Sequence, residues 1–271
     1  AINHESICNL VNDNDDGSKI ASLSLLVKII QKYGEKMDEK DILKCIDYFI
    51  IQINQETNLF LLGISYPYIK TIILNYKRIP YEKENLIING LINKYDNKII
   101  NEVLNIVNSI ILTQSAIENL LDSIYLLLSK ILYDNEIISK TECLNTISLL
   151  FDSVKEKNNN SLEKLNQSLI KTASLNNIPE ILMPITIYFI IHQHENSNLQ
   201  TIINYFNSNE VFASYSLSSL ILIALSPAKR ELKNKDLKQK LSEYLKSNDK
   251  FIYYKALNLI YILLKNGLMV I

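Results

Sequence analysis

The C-terminal third of the chain repeats itself. Thr201–Leu225 (TIINYFNSNEVFASYSLSSLILIAL) laid 39 positions forward on Lys240–Leu264 (KLSEYLKSNDKFIYYKALNLIYILL) keeps Tyr205, Ser208, Asn209, Phe212, Tyr215, Leu220, Ile221, Ile223 and Leu225 unchanged, 9 of 25 positions. Apolar residues in both copies recur at the three-to-four spacing of a helix face. A fixed period of about 40 residues with helical hydrophobicity describes a unit too small to bury its apolar face alone, so neighbouring units must stack. A third copy lengthens the pattern. Ile92–Ile111 falls on Leu245–Leu264 at a shift of 153, close to four periods, and matches Asp96 with Asp249, Leu104 with Leu257 and Asn105 with Asn258.

Composition narrows the class. Five Gly, five Pro and no Trp in 271 residues leave too few turn formers for an all-β fold. The chain is expected to be all-α. Its excess of Ile, Asn and Lys is what an A/T-rich coding sequence produces, so the asparagines need not each carry a function. With 28 basic and 29 acidic side chains the formal charge is −1, which supplies no global field for nucleic acid or an anionic membrane.

Cys8, Cys45 and Cys143 are odd in number and far apart, without metal-ligand spacing; buried, reduced thiols in an intracellular, cytoplasmic protein are the expectation. The sequon Asn166-Gln167-Ser168 is a chance occurrence in so Asn-rich a chain. Ile181–Ile191 is the longest apolar run, roughly half of what a membrane span needs, and Pro184 interrupts it. It reads as a buried helix. The first residues lack the basic and apolar regions of a signal peptide, and the absence of an initial Met suggests a piece of something longer.

Along the chain, apolar blocks of helical period alternate with short polar breaks such as Asn12–Gly17, Tyr95–Asn97, Asn158–Ser161, Asn207–Asn209, Ser226-Pro227 and Ser247–Asp249. These divide it into about a dozen or more helices. Several breaks place Asn, Asp or Ser directly before an apolar run, where the side chain can accept from the free N–H groups of a first turn. One domain over residues 1–271 is expected, with Asn158–Ser161 as its softest point.

Catalytic constellations are missing. His4, His192 and His194 are the histidines, and a helix would set His192 and His194 on opposite sides, about 200° apart, with the pair reading as a helix end entering solvent. No glycine-rich phosphate loop, no GxSxG and no evident Cys–His pair is present. No catalytic, cofactor or metal residue is assigned, and the chain reads as a non-enzyme. The one local basic cluster is Lys229, Arg230, Lys233, Lys235, Lys238 and Lys240, set against Glu231 and Asp236. It could face an acidic peptide, a phosphate backbone or a lipid head group. The plainer reading is an exposed helix whose stripe Leu232, Leu237, Leu241 and Leu245 packs inward.

The unit Leu237-x-x-x-Leu241-x-x-x-Leu245-x-x-x-Asp249-x-x-Ile252-x-x-x-Ala256-x-x-Leu259-Ile260 resembles a HEAT repeat: one helix, a tight turn with Asp, then a second helix opening on an aliphatic residue and carrying a small residue one turn later. It departs from the pattern where HEAT units commonly carry Arg, since Tyr253 and Ser214 stand there. The resemblance, HEAT-like or armadillo-like, implies a right-handed α-solenoid of stacked antiparallel helix pairs, with the second helix of each pair lining a concave groove. If Ile252, Ala256, Leu259, Ile260 and Leu263 face the stack, then Tyr254, Asn258, Tyr261 and Lys265 form the opposite stripe. Tyr215, Ser219 and Leu222 are the equivalents one period earlier, and Asn101, Asn105 and Asn108 four periods earlier. Tyr and Asn in parallel rows suit adaptable protein contacts. A scaffold or adaptor holding a protein or peptide partner in the groove is therefore the expected function. The same resemblance leaves open a nucleic-acid enzyme such as a DNA-base glycosylase, against which the near-neutral charge and the lack of Trp weigh, and a membrane-trafficking adaptor using the Lys229–Lys240 cluster.

Overall fold

The computed structural model describes residues 15–75, 79–113, 117–134, 140–154, 159–175, 178–192, 196–208, 210–233 and 237–269. Among the described residues there are thirteen α-helices and no strand. They are α1 (Asp16–Tyr33), α2 (Glu39–Gln55), α3 (Leu59–Asn75), α4 (Tyr81–Lys94), α5 (Ile100–Thr113), α6 (Leu121–Tyr133), α7 (Lys140–Ser153), α8 (Asn160–Leu175), α9 (Leu182–Ile191), α10 (Asn196–Phe206), α11 (Glu210–Leu225), α12 (Lys238–Tyr244) and α13 (Lys250–Lys265). The all-α expectation holds.

The polar breaks end and start helices as their chemistry dictates. Asp15 Oδ2 accepts from Ser18 N (2.8 Å), Asn58 Oδ1 from Phe60 N (3.0 Å) and Asn159 Oδ1 from Ser161 N (3.0 Å). Each satisfies an N–H that a first turn leaves without an intrahelical partner. The aligned pair Asp96 and Asp249 does the same in two copies of the repeat: Asp96 accepts from Lys98 N (2.9 Å), Asp249 from Phe251 N (2.8 Å) and Ile252 N (3.4 Å). At the far end of α13, Gly267 takes φ +66°, with Gly267 N donating to Leu264 O (3.0 Å) and Leu268 N to Leu263 O (2.8 Å). This is the double closure of a Schellman motif, where a residue with Cβ would be strained.

The chain divides into two compact units, Ala1–Thr146 and Ile147–Ile271, the division falling inside α7 rather than at Asn158–Ser161. In the first unit α1 packs on α3 and α3 on α5, while α2 packs on α4 and α4 on α6. Alternate helices thus form two rows. The α2–α4 contact is so close that a Cβ on Gly90 would come within 2.7 Å of the Ile53 side chain, which is why glycine stands there. In the second unit α9, α11 and α13 form one row, and α8 and α10 lie together in the other. Between the rows, fully buried side chains make each core: Ile53, Leu62, Ile88 and Leu91 in the first, Leu165, Ile185, Phe189, Phe206 and Leu220 in the second. The helix α9, Leu182–Ile191, is largely buried, as the apolar run predicted, with Met183 exposed and with Pro184 in its first turn, where a missing N–H is harmless.

Many polar contacts between helices run at separations near one repeat. In the first unit Lys19 meets Glu56 (3.2 Å), Lys83 meets Asp47, Lys130 Nζ donates to Ile92 O (3.0 Å) and Tyr95 Oη to Asp134 (3.2 Å), spans of 37, 36, 38 and 39 residues. In the second unit Tyr205 Oη donates to Ala173 O (2.9 Å), Tyr244 Oη to Phe206 O and Lys229 Nζ to Asn266 Oδ1 (3.0 Å), spans of 32, 38 and 37. Tyr205 and Tyr244 are the same position of the 39-residue repeat, and each ties the end of its helix to the helix one row-step before. That shared bond is a physical reason for the tyrosine to recur.

Two expectations are corrected. Lys229–Lys240 is not one helix: Pro227–Leu232 is a 3-10 turn and α12 begins only at Lys238, although Leu232, Leu237 and Leu241 are buried as expected and Leu245 is half-buried. His192 does not enter solvent. It is buried at the end of α9, its Nε2 within 2.8 Å of Phe151 O and its ring stacked on Tyr188 at 5.2 Å. The Phe151 and Tyr188 rings make an apolar slot there, and the backbone carbonyl satisfies the imidazole. Cys8, His4, His194 and Lys235 lie outside the described residues.

Candidate functional site

The row α9–α11–α13 presents the residues that the repeat singled out. On α13, Ile252, Ala256, Leu259 and Leu263 are buried against the row, whereas Tyr254 (64% exposed), Asn258, Tyr261 (61%) and Lys265 are exposed on the opposite stripe. On the neighbouring helix α11, Tyr215 and Leu222 are exposed. This helix is apolar around much of its circumference because Leu222 and Leu225 stay in solvent while Leu217, Leu220, Ile223 and Ala224 fill the core. Ser219 departs from the expected stripe. It is buried, with Tyr215 and Leu222 exposed on either side in sequence, because α13 covers that side of α11.

Beside Tyr215 the row opens into a concavity of about 400 Å3, lined by Leu182 and Met183 of α9, Ser214, Tyr215, Ser218 and Ser219 of α11, and Lys255 of α13. Lys255 Nζ donates to Ser214 O (3.0 Å) and Ser214 Oγ (2.7 Å). Burial holds this ammonium below the ordinary lysine value of 10.5, against the opposing pull of Asp249. Tyr215 Oη lies 3.5 Å from Glu180 Oε1. Lys255 escaped the reading by periodic stripes, yet a signal was there: one period earlier its position is Ser216, which is fully buried. A lysine replacing a buried serine in a repeat needs a reason.

The asparagines of the third copy lie in the first unit. Asn101 and Asn105 are exposed on α5, and Asn105 Oδ1 accepts from Lys70 Nζ at 3.5 Å, whereas Asn108 is half-buried with its carbonyl oxygen enclosed. The basic cluster is partly engaged. Lys229 is held by Asn266, and Lys240 pairs with Glu243 at 2.9 Å while standing 5.2 Å over the Tyr244 ring. Arg230, Lys233 and Lys238 are exposed.

A second concavity of about 470 Å3 lies on the other row, between α8 and α10, with Ile170, Lys171, Ala173, Asn204, Tyr205 and Phe212 in its wall. Two of these lining rings, Tyr205 and Phe212, pack edge to face with 5.3 Å between centroids. Cys45 and Cys143 are buried and in no disulfide, and burial pushes the Cys143 thiol up to about 12, which leaves it unreactive at neutral pH. Asn166 of the sequon is fully buried. Among the described residues no cluster of His, Cys, Asp or Glu could hold a metal ion, and no helix is long and apolar enough to cross a membrane.

No family model matches the chain, and no curated protein matches it. Among solved structures it is similar to an engineered protein determined by crystallography, at 12% identity over 98% of each chain with a TM-score of 0.44, a likeness too distant to bear on fold or function.

Proposed function

We propose that this chain is a protein-interaction scaffold, a HEAT- or armadillo-like α-solenoid whose α9–α11–α13 row holds an extended peptide or helix of a protein partner, with binding rather than catalysis as its mechanism. The packing of every second helix and the polar contacts at spans near one repeat support the solenoid reading. One observation carries the functional part: Tyr215, Leu222, Tyr254, Asn258 and Tyr261 are exposed on two adjacent helices beside a concavity. Aromatic side chains of this kind supply large contact area at small entropic cost, and contiguous exposed apolar patches mark interaction sites. The basic cluster is the weaker alternative because Lys229 and Lys240 already have partners within the chain.

The test is selection of binders from a random 12-residue peptide library, followed by affinity measurement of one selected peptide. The double change Tyr215→Ala and Tyr254→Ala should weaken that peptide by tenfold or more, since two buried-on-binding aromatics each contribute upward of about 1 kcal/mol. Far-ultraviolet circular dichroism should stay unchanged. Charge reversal at Lys233, Lys238 and Lys240 should leave the affinity in place; the opposite pattern moves the site to the basic cluster.

A further inference from the structure

The partner's chemistry is written in the concavity beside Tyr215. Lys255 brings a positive charge from α13 into a hollow walled by the apolar Leu182 and Met183 and by the hydroxyls of Ser214 and Ser218. Two of its three N–H donors go to Ser214, to the carbonyl oxygen at 3.0 Å and to the hydroxyl oxygen at 2.7 Å. Among the described residues no carboxylate stands within 4.0 Å of its Nζ. A half-buried cation with no carboxylate in contact, only the more distant pull of Asp249, is costly, and burial outweighs that pull in setting the proton affinity of Lys255. Helix packing alone does not need a charge here, because the equivalent position one period earlier is a serine.

We propose that this hollow is a carboxylate socket, in which Lys255 receives an Asp or Glu side chain of the peptide bound along α9–α11–α13 while an apolar neighbour of that residue rests on Leu182 and Met183. The inference rests on the reading of that row as a peptide-binding face. A carboxylate at this place takes the remaining N–H of Lys255, and a charge-assisted bond in a partly dry hollow is about twice as strong as a neutral one. The Ser214 hydroxyl stands beside it as a further polar contact, whereas the Ser218 hydroxyl already donates to Ser214 O (2.9 Å). The partner is thus an acidic-apolar segment, not a basic one.

The random 12-residue library decides this when selected in parallel on the unaltered chain, on Lys255→Met and on Lys255→Glu, each checked for folding by circular dichroism. The unaltered chain should enrich Asp or Glu at one position by about tenfold, beside an apolar residue. Lys255→Met, which keeps the aliphatic stem, should lose that preference and still enrich apolar peptides. Lys255→Glu should turn the preference toward Lys or Arg. Enrichment on the unaltered chain without an acidic preference, or an acidic preference that survives both substitutions, overturns the socket while the peptide-binding face stands. If no peptides are enriched on any of the three, the face itself is refuted and the socket falls with it.

Discussion

A buried pair of asparagines offers the sharpest measurement of what holds the second unit together. Asn166 on α8 and Asn198 on α10 are both fully buried and bind each other reciprocally: Asn166 Nδ2 donates to Asn198 Oδ1 (3.1 Å), and Asn198 Nδ2 donates to Asn166 Oδ1 (2.8 Å) and to Ile185 O (3.3 Å). Changing Asn198 to Leu removes the partner of both amide groups of Asn166 and leaves them dry. An unsatisfied buried group costs about 1 to 3 kcal/mol, so the single variant should lose roughly 3 kcal/mol. Asn166→Leu should cost a similar amount for the same reason. The double variant leaves neither amide to strand and takes only one donor from the Ile185 carbonyl, so its loss should be smaller than either single one. A double-mutant cycle by urea unfolding, followed through a probe placed in the second unit, then gives a coupling of about 3 kcal/mol. Additive losses, with a coupling below about 0.5 kcal/mol, would show that the two side chains do not depend on each other and that the pair is incidental.

Ala256→Asp places a carboxylate at a fully buried position of α13 and should cost several kcal/mol, with hydrogen exchange showing protection lost first in α11 and α13; uniform loss over all helices would count against stacked units. Tyr66 is fully buried, and its hydroxyl has no hydrogen-bond partner among the described residues. Tyr66→Phe should therefore raise stability by about 1 kcal/mol, and a loss in the melting temperature would show that the hydroxyl is satisfied. Glu56 is partly buried, which alone would raise its proton affinity, but N–H donors from Asn58 and Thr57 and the ammonium of Lys19 hold it below the ordinary 4.5. A depressed carboxylate contributes stability above its unfolded value and loses it as pH falls through the folded one. Glu56→Gln should thus destabilise at pH 7 and flatten the unfolding profile below pH 4.5; an unchanged acid limb would rule the ion pair out as its source.

The helix class, the breaks and the repeat were written in the sequence because they depend on local chemistry. Apolar residues at helical spacing, Asp96 and Asp249 at first turns and Gly267 after α13 each act through neighbours a few residues away. Burial of Ile252, Ala256 and Leu259 followed from the same spacing. What periodicity could not decide is which of two polar-looking positions is covered by another helix. Ser219 reads as an equivalent of the exposed Asn258 and is buried, because α11 has a neighbour in its row on both sides, α9 and α13. His192 reads as a helix end in water and sits in an aromatic slot completed by Phe151, 41 residues away. The basic run reads as one helix and is split, since Pro227 starts a 3-10 turn ahead of α12. Lys255 is marked in the sequence only by the serine that holds its place one period earlier. Only the approach of α9, α11 and α13 makes a hollow around its ammonium, since walls that lie far apart in the chain exist as a site only after the helices have packed.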